Sequence, residues 1–106
     1  MEDETTTLID YQGRLIRLTA ERKEHILEHP EMIGQLTLLE EVLANPELII
    51  ATNADSSVHV YHRFYSTTPV TSKYLQVAVK IVEDDAFILT AFFSSRQKKG
   101  TSIWTA

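Results

Sequence analysis

The chain has 106 residues, 43% apolar and 24% charged, an ordinary globular composition that excludes a disordered or collagen-like chain. It contains no cysteine, which rules out disulfides, thiolate nucleophiles, iron–sulfur clusters and thiolate zinc sites. The net charge of −5 opposes indiscriminate nucleic-acid affinity but is uneven: residues 1–55 carry four basic groups against twelve acidic, and residues 56–106 six against three.

No apolar run reaches the roughly eighteen residues of a membrane span, and Met1–Thr7 carry no hydrophobic leader. A cytoplasmic location and one domain over 1–106 are expected, with 1–7 flexible. In chain order, residues 8–18 read as two short strands around a Gln12-Gly13 turn. Thr19 suits a helix N-cap, and Glu21 places an acid in the first turn. That helix is predicted to stop near His29, because a residue before proline avoids helical geometry, and Pro30 is placed to open the next.

Met32, Leu36, Leu39 and Leu43 form one apolar stripe along the second helix, which Asn45-Pro46 ends. Strands are then predicted at 47–51, 57–65, 73–82, 86–93 and 102–105, broken at Asn53–Ser56, Thr67-Thr68-Pro69 and Glu83–Asp85. Short connections favour antiparallel neighbours. The expected fold class is α+β, two N-terminal helices on one face of an antiparallel sheet of four or more strands. Alternation assigns Val58, Val60, Phe64, Leu75, Val77, Val79, Ile81, Phe87, Leu89 and Phe93 to the helix-covered face. The other face then collects His59, Tyr61, Arg63, Tyr65, Gln76, Ala78, Lys80, Thr90, Phe92 and Ser94, without a carboxylate.

His25-Ile26-Leu27-Glu28-His29 matches the H-x-x-E-H zinc-hydrolase pattern, but Pro30 cuts the helix where a ligand scaffold would continue. No metal or other cofactor is expected. The pair reads either structurally, His29 capping the second helix and His25 at the sheet edge, or as a source of one proton-transferring imidazole. On the open face Arg63 and Lys80 suit phosphate oxygens, and Tyr61 or Tyr65 suits an unpaired base. The alternative is a solvated face of good strand formers. Arg96-Gln97-Lys98-Lys99-Gly100 is a basic loop able to clamp a backbone phosphate or merely to solubilise, and Trp104 reads as a core plug. With three glycines and no Gly-rich phosphate loop, nucleotide cofactors are not expected.

The run Arg22-Lys23-Glu24-His25-Ile26-Leu27-Glu28-His29-Pro30-Glu31 resembles the R-x-x-H-I-x-x-H-P-E opening of small phage- and bacteria-associated proteins of the barnase–EndoU–colicin–RelE-like nuclease superfamily. Asn45-Pro46, Tyr61-His62-Arg63, Val77-Ala78-Val79-Lys80, Leu89-Thr90-Ala91-Phe92, Lys99-Gly100 and Ile103-Trp104 follow in order, so the likeness covers about residues 10–105. It implies helices on a four-stranded antiparallel sheet and metal-independent endoribonuclease activity, the RNA 2′-hydroxyl attacking its own phosphorus. Carried over, the catalytic candidates are His25, His29, Arg63, Lys80 and Thr90. Lys98 and Lys99 join Tyr61 and Tyr65 as RNA-binding candidates. No barnase-type glutamate stands on the proposed face, which leaves proton transfer to histidine. The implied setting is a toxin or phage-defence component with RNA and a neutralising protein as partners. The competing reading is a non-catalytic RNA- or protein-binding module of the same fold.

Overall fold

The computed structural model describes residues 5–68 and 73–106. Strands β1 (Thr6–Ile9) and β2 (Leu15–Leu18) form the first hairpin, so Thr6 and Thr7, expected to be flexible, are paired with Leu18 and Arg17. Residues 1–4 and Pro69 of the expected Thr67-Thr68-Pro69 break lie outside the described residues. Gly13 takes φ +84° in the turn, a conformation a side chain would disfavour. The buried Asp10 organises this hairpin: Oδ1 accepts from the Gln12 and Arg14 amides, both at 2.9 Å, and Oδ2 from the Tyr61 hydroxyl at 2.8 Å.

Helix α1 (Ala20–Leu27) starts at Thr19, whose Oγ1 accepts from the Arg22 amide at 3.2 Å. Pro30 does not open the second helix. Pro30–Met32 make one 3₁₀ turn, Gly34 follows at φ +79°, and α2 spans Leu36–Ala44. The predicted stripe is thus shared, with Met32 on the 3₁₀ turn and Leu39 and Leu43 on α2 fully buried; Leu36 is only partly buried, and Val42, outside the stripe, is fully buried.

The remaining strands are β3 (Leu48–Thr52), β4 (Val58–Tyr65), β5 (Lys73–Val82), β6 (Asp85–Ser94) and β7 (Gly100–Thr105). They join the first hairpin in one seven-stranded sheet ordered β1-β2-β6-β5-β4-β3-β7. The sheet is larger than four strands and is mixed: β2 runs parallel to β6 at Arg17–Phe87, and the other neighbours are antiparallel. A single core lies between helices and sheet, joining Ile26, Met32, Leu39, Val42 and Leu43 to Ile16, Leu18, Ile49, Tyr61, Leu75, Val77, Val79, Ile88 and Phe93. No helix of the described residues is long and apolar enough to cross a membrane.

Register overturns the expected face of β4. Tyr61 stands opposite Val77 and Arg63 opposite Leu75, so His59, Tyr61, Arg63 and Tyr65 point to the helix side. Val58, Val60, His62 and Phe64 share the other side with Lys80, Ala78, Gln76 and Tyr74. The β5–β6 register shifts beyond Ala78, pairing Ala78 with Thr90 but Val79 with Ile88. That bulge turns Ile88 and Ala86 inward in place of Phe87 and Leu89.

Candidate RNA-binding groove under a basic strap

β6 and β7 are consecutive in the chain but separated by β5, β4 and β3 in the sheet. Residues 95–99 must therefore cross three strands. Six extended steps reach about 20 Å, comparable with the roughly 19 Å of four strand spacings, so this connection runs nearly straight. It passes over the face away from the helices, and two buried side chains of that face hold it. Gln76 Nε2 donates to the Arg96 carbonyl at 2.6 Å, and the Lys98 amide donates to His62 Nε2 at 3.0 Å. Residues 95–99 form a strap, and the sheet has a helix face and a strap face. At the strap's far end a Cβ on Gly100 would lie 2.6 Å from Ile50 Cγ2 and closer still to the Ala51 carbonyl oxygen, so only glycine lets β7 dock here.

Gln76, Phe92, Ser94, Arg96, Gln97, Lys98 and Lys99 line a shallow groove of about 380 Å³ beside the strap. Its wall carries three cations and no carboxylate. Arg96, Lys98 and Lys99 form no ion pair among the described residues, whereas the face's other cations are engaged: Lys80 with Asp55, and Arg17 with Asp85 at 2.8 Å. Further along the face, Phe64 (42% exposed) meets Tyr74 edge-on with ring centroids 5.1 Å apart, leaving apolar ring surface in the open.

The sequence-predicted residues divide between the two faces. Arg63 is on the helix face, where its Nη1 donates to the Asn45 carbonyl at 2.9 Å and its guanidinium lies 3.9 Å from the carboxylates of Glu41 and Glu47. It fastens the end of α2 to β4 and cannot share a phosphate with Lys80. Tyr61 is a core side chain bonded to Asp10, and Tyr65 donates to Glu41, so neither offers a free ring for a base. Burial, then the hydrogen bond to the neighbouring carboxylate, raises both phenols well above the ordinary tyrosine range. Lys80 is on the strap face, but its ammonium, together with the Ser57 hydroxyl and amide, is hydrogen-bonded to Asp55 and holds that carboxyl well below its usual range.

Thr90 pairs with Ala78 and so faces the strap side. Lys98 and Lys99 are strap residues, as the basic-loop reading expected. His25 is exposed near Glu28, with Nδ1 3.8 Å from its carboxylate. The His29 ring lies 6.4 Å from Phe92, a groove-lining residue, and makes no hydrogen bond among the described residues. It does not cap α2, which starts six residues beyond Pro30 at Leu36. No group of three or more His, Cys, Asp or Glu placed to hold a metal ion occurs among the described residues. Trp104 packs on Tyr11 at 4.6 Å against the core margin, as a plug.

The sequence reading placed Gln76, Thr90, Phe92 and Ser94 on this face but missed His62, Phe64 and Tyr74 as their neighbours there. One signal was present in the sequence: Leu75-Gln76-Val77-Ala78-Val79 is apolar but for Gln76, and the structure buries all five positions, the mark of a strand covered on both faces. Comparison with known proteins adds no family: no protein-family model, curated protein or solved structure matches the chain.

Proposed function

We propose that the strap groove binds single-stranded RNA and that His29 at its margin makes the domain a metal-independent endoribonuclease. The observation that carries the reading is the groove wall itself, three cations without an ion pair among the described residues and the ring of Phe92, with no carboxylate between them. Phosphate oxygens suit Arg96 by a planar fork and Lys98 and Lys99 as point charges. Phe92 and the open ring surface of Phe64 and Tyr74 suit unpaired bases, which stack on aromatic side chains without regard to sequence.

In cleavage, His29 takes the 2′-hydroxyl proton as that oxygen attacks the adjacent phosphorus; the bond from phosphorus to the 5′-oxygen breaks, and that oxygen takes its proton from a solvent water. The strap cations stabilise the charge that builds on the phosphorane. Thr90 is the remaining polar candidate on this face, while Arg63 and Lys80 are committed to carboxylates and drop out of the reacting set.

A non-catalytic RNA-binding module is the second reading, favoured by the same engagement of Arg63 and Lys80, which leaves a single histidine for proton transfer. Incubation with single-stranded RNA in EDTA separates the two. Cleavage leaving a 2′,3′-cyclic phosphate, absent on DNA and lowered about 10²–10⁴-fold in His29→Ala, supports the enzyme. Binding without cleavage supports the module, and protein that neither binds nor cuts RNA refutes both.

A further inference from the structure

His62 is wholly buried on the strap face, with the backbones of Val60, Leu48 and Lys98 about its ring, and the Leu48 and Val60 carbonyls both favour a ring proton. Nδ1 lies 3.0 Å from the Val60 carbonyl oxygen, which can only accept, and Nε2 lies 3.0 Å from the Lys98 amide, which can only donate. These partners fix the neutral tautomer with its proton on Nδ1. A second proton would sit on Nε2 and point at the Lys98 N–H, so the charged ring and the seated strap are incompatible. The charged or titratable groups on the elements packed around the ring are Tyr74 on β5, 6.4 Å away edge-on, Glu47 before β3, and Arg96, Lys98 and Lys99 on the strap. Glu47 is engaged by the Phe64 amide at 2.9 Å and by Arg63, so no free carboxylate favours an imidazolium here.

We propose that His62 is the positioning residue of the strap: its neutral imidazole holds the Lys98 backbone over the sheet, and protonation releases the strap and scatters the groove's cations. The proposal rests on the groove being the RNA site, and it predicts a pH response opposite to that of an ordinary basic surface. Acidification raises the net positive charge of a protein and by itself strengthens polyanion binding. Release at His62 weakens it. Burial, partly offset by the backbone hydrogen bonds, also pushes the His62 imidazolium toward losing its proton. The seated strap is therefore favoured above an ordinary histidine pKa of about 6.5 and loses that support as the pH falls through the ring's lower folded value.

The test measures anisotropy of a labelled oligouridine with 2′-O-methyl riboses, which lacks the nucleophile and has no base that protonates in this range. The readings run from about pH 7.5 to about pH 5.5. Affinity should fall roughly tenfold with acidification, the weight of about two phosphate contacts. His62→Gln keeps an acceptor for the Lys98 amide but cannot titrate, so its affinity, whatever its value at neutral pH, should lose the acid weakening. In parallel, nitrogen-15 NMR without RNA reads the His62 tautomer and the hydrogen-exchange protection of the Lys98 amide. Protection lost on acidification in the parent and kept in His62→Gln supports the latch even where no RNA binds, in which case it is the RNA reading that fails. Protection that does not change with pH, or an acid weakening of RNA binding that persists in His62→Gln, overturns the latch.

Discussion

The division of cations between the two faces makes a reciprocal prediction for Arg63 and the strap lysines. Arg63→Ala removes a charge-assisted hydrogen bond to Asn45, of a kind worth about 1.5–3 kcal/mol, and two long ion pairs worth about 0–1 kcal/mol each. The side chain is 32% exposed, which lowers those values, and its buried Nε has no acceptor, so its removal offsets part of the loss. The balance is about 1–2 kcal/mol, or roughly 5–10 °C in the melting of a domain of this size. RNA affinity should be untouched. In the strap, three cations each neutralising one phosphate give a slope of log K against log salt of about −2, at about −0.7 per contact on a single strand. Replacing Lys98 and Lys99 together by alanine should reduce the slope to about −0.7 and leave the melting midpoint within surface scatter. Circular-dichroism melts and anisotropy at several salt concentrations read both quantities. If Arg63→Ala keeps its melting temperature and loses RNA, or the lysine pair changes neither slope nor affinity, the site is on the wrong face.

Three further outcomes follow from packing and charge. Leu39→Ala, at a fully buried position of α2, should cost about 2–5 kcal/mol in denaturant melts. Gly100→Ala forces a Cβ against the Ala51 carbonyl and Ile50, so hydrogen exchange should show β7 loosened while the α2 amides stay protected. Asp55 and Asp85 have lowered carboxyl pKa values, chiefly from the hydrogen bonds of Lys80 and Arg17, so the unfolded chain takes up their protons first. The stability they confer is present above about pH 4 and falls as the pH drops below it. Urea midpoints should follow that course, with a shallower fall in Lys80→Met.

The elements were legible in the sequence, as was the facing of β5 and of the end of β6, whereas the facing of β4 and of the start of β6 was not. Period and breaker residues located all seven strands and α1 within a few positions, because Pro30, Pro46 and Gly13 act locally. The start of α2 slipped because Pro30 permits a helix and the left-handed Gly34 then interrupts it. β4 failed for a different reason. Alternation identifies a buried face only when the opposite face is wet, and on the strap side His62, under the Lys98 backbone, and Val60 are buried as fully as Tyr61 is on the helix side. Valines and a phenylalanine then outweighed a tyrosine whose hydroxyl is satisfied by Asp10, a partner 51 residues away. The strap was read as a basic loop but not as a crossing, since a five-residue connection ordinarily joins neighbours.

The overall acidity, which argues against RNA, is distributed so that it acts weakly at the groove. Glu41 and Glu47 are bound to Arg63 and Tyr65 on the helix side, while Asp55 and Asp85, beside strap-face cations, are each paired with one of them. The domain measures 38 × 33 × 25 Å, and at physiological salt a charge is screened over about 8 Å. A strand lying on the strap therefore meets the local field of Arg96, Lys98 and Lys99 rather than the net charge. On the proposed reading the same reasoning limits affinity: three phosphate contacts on a protein of net charge −5 would give weak, strongly salt-dependent binding, and any preference among RNAs would have to come from bases stacked on Phe92 in the groove or on Phe64 and Tyr74 beyond it.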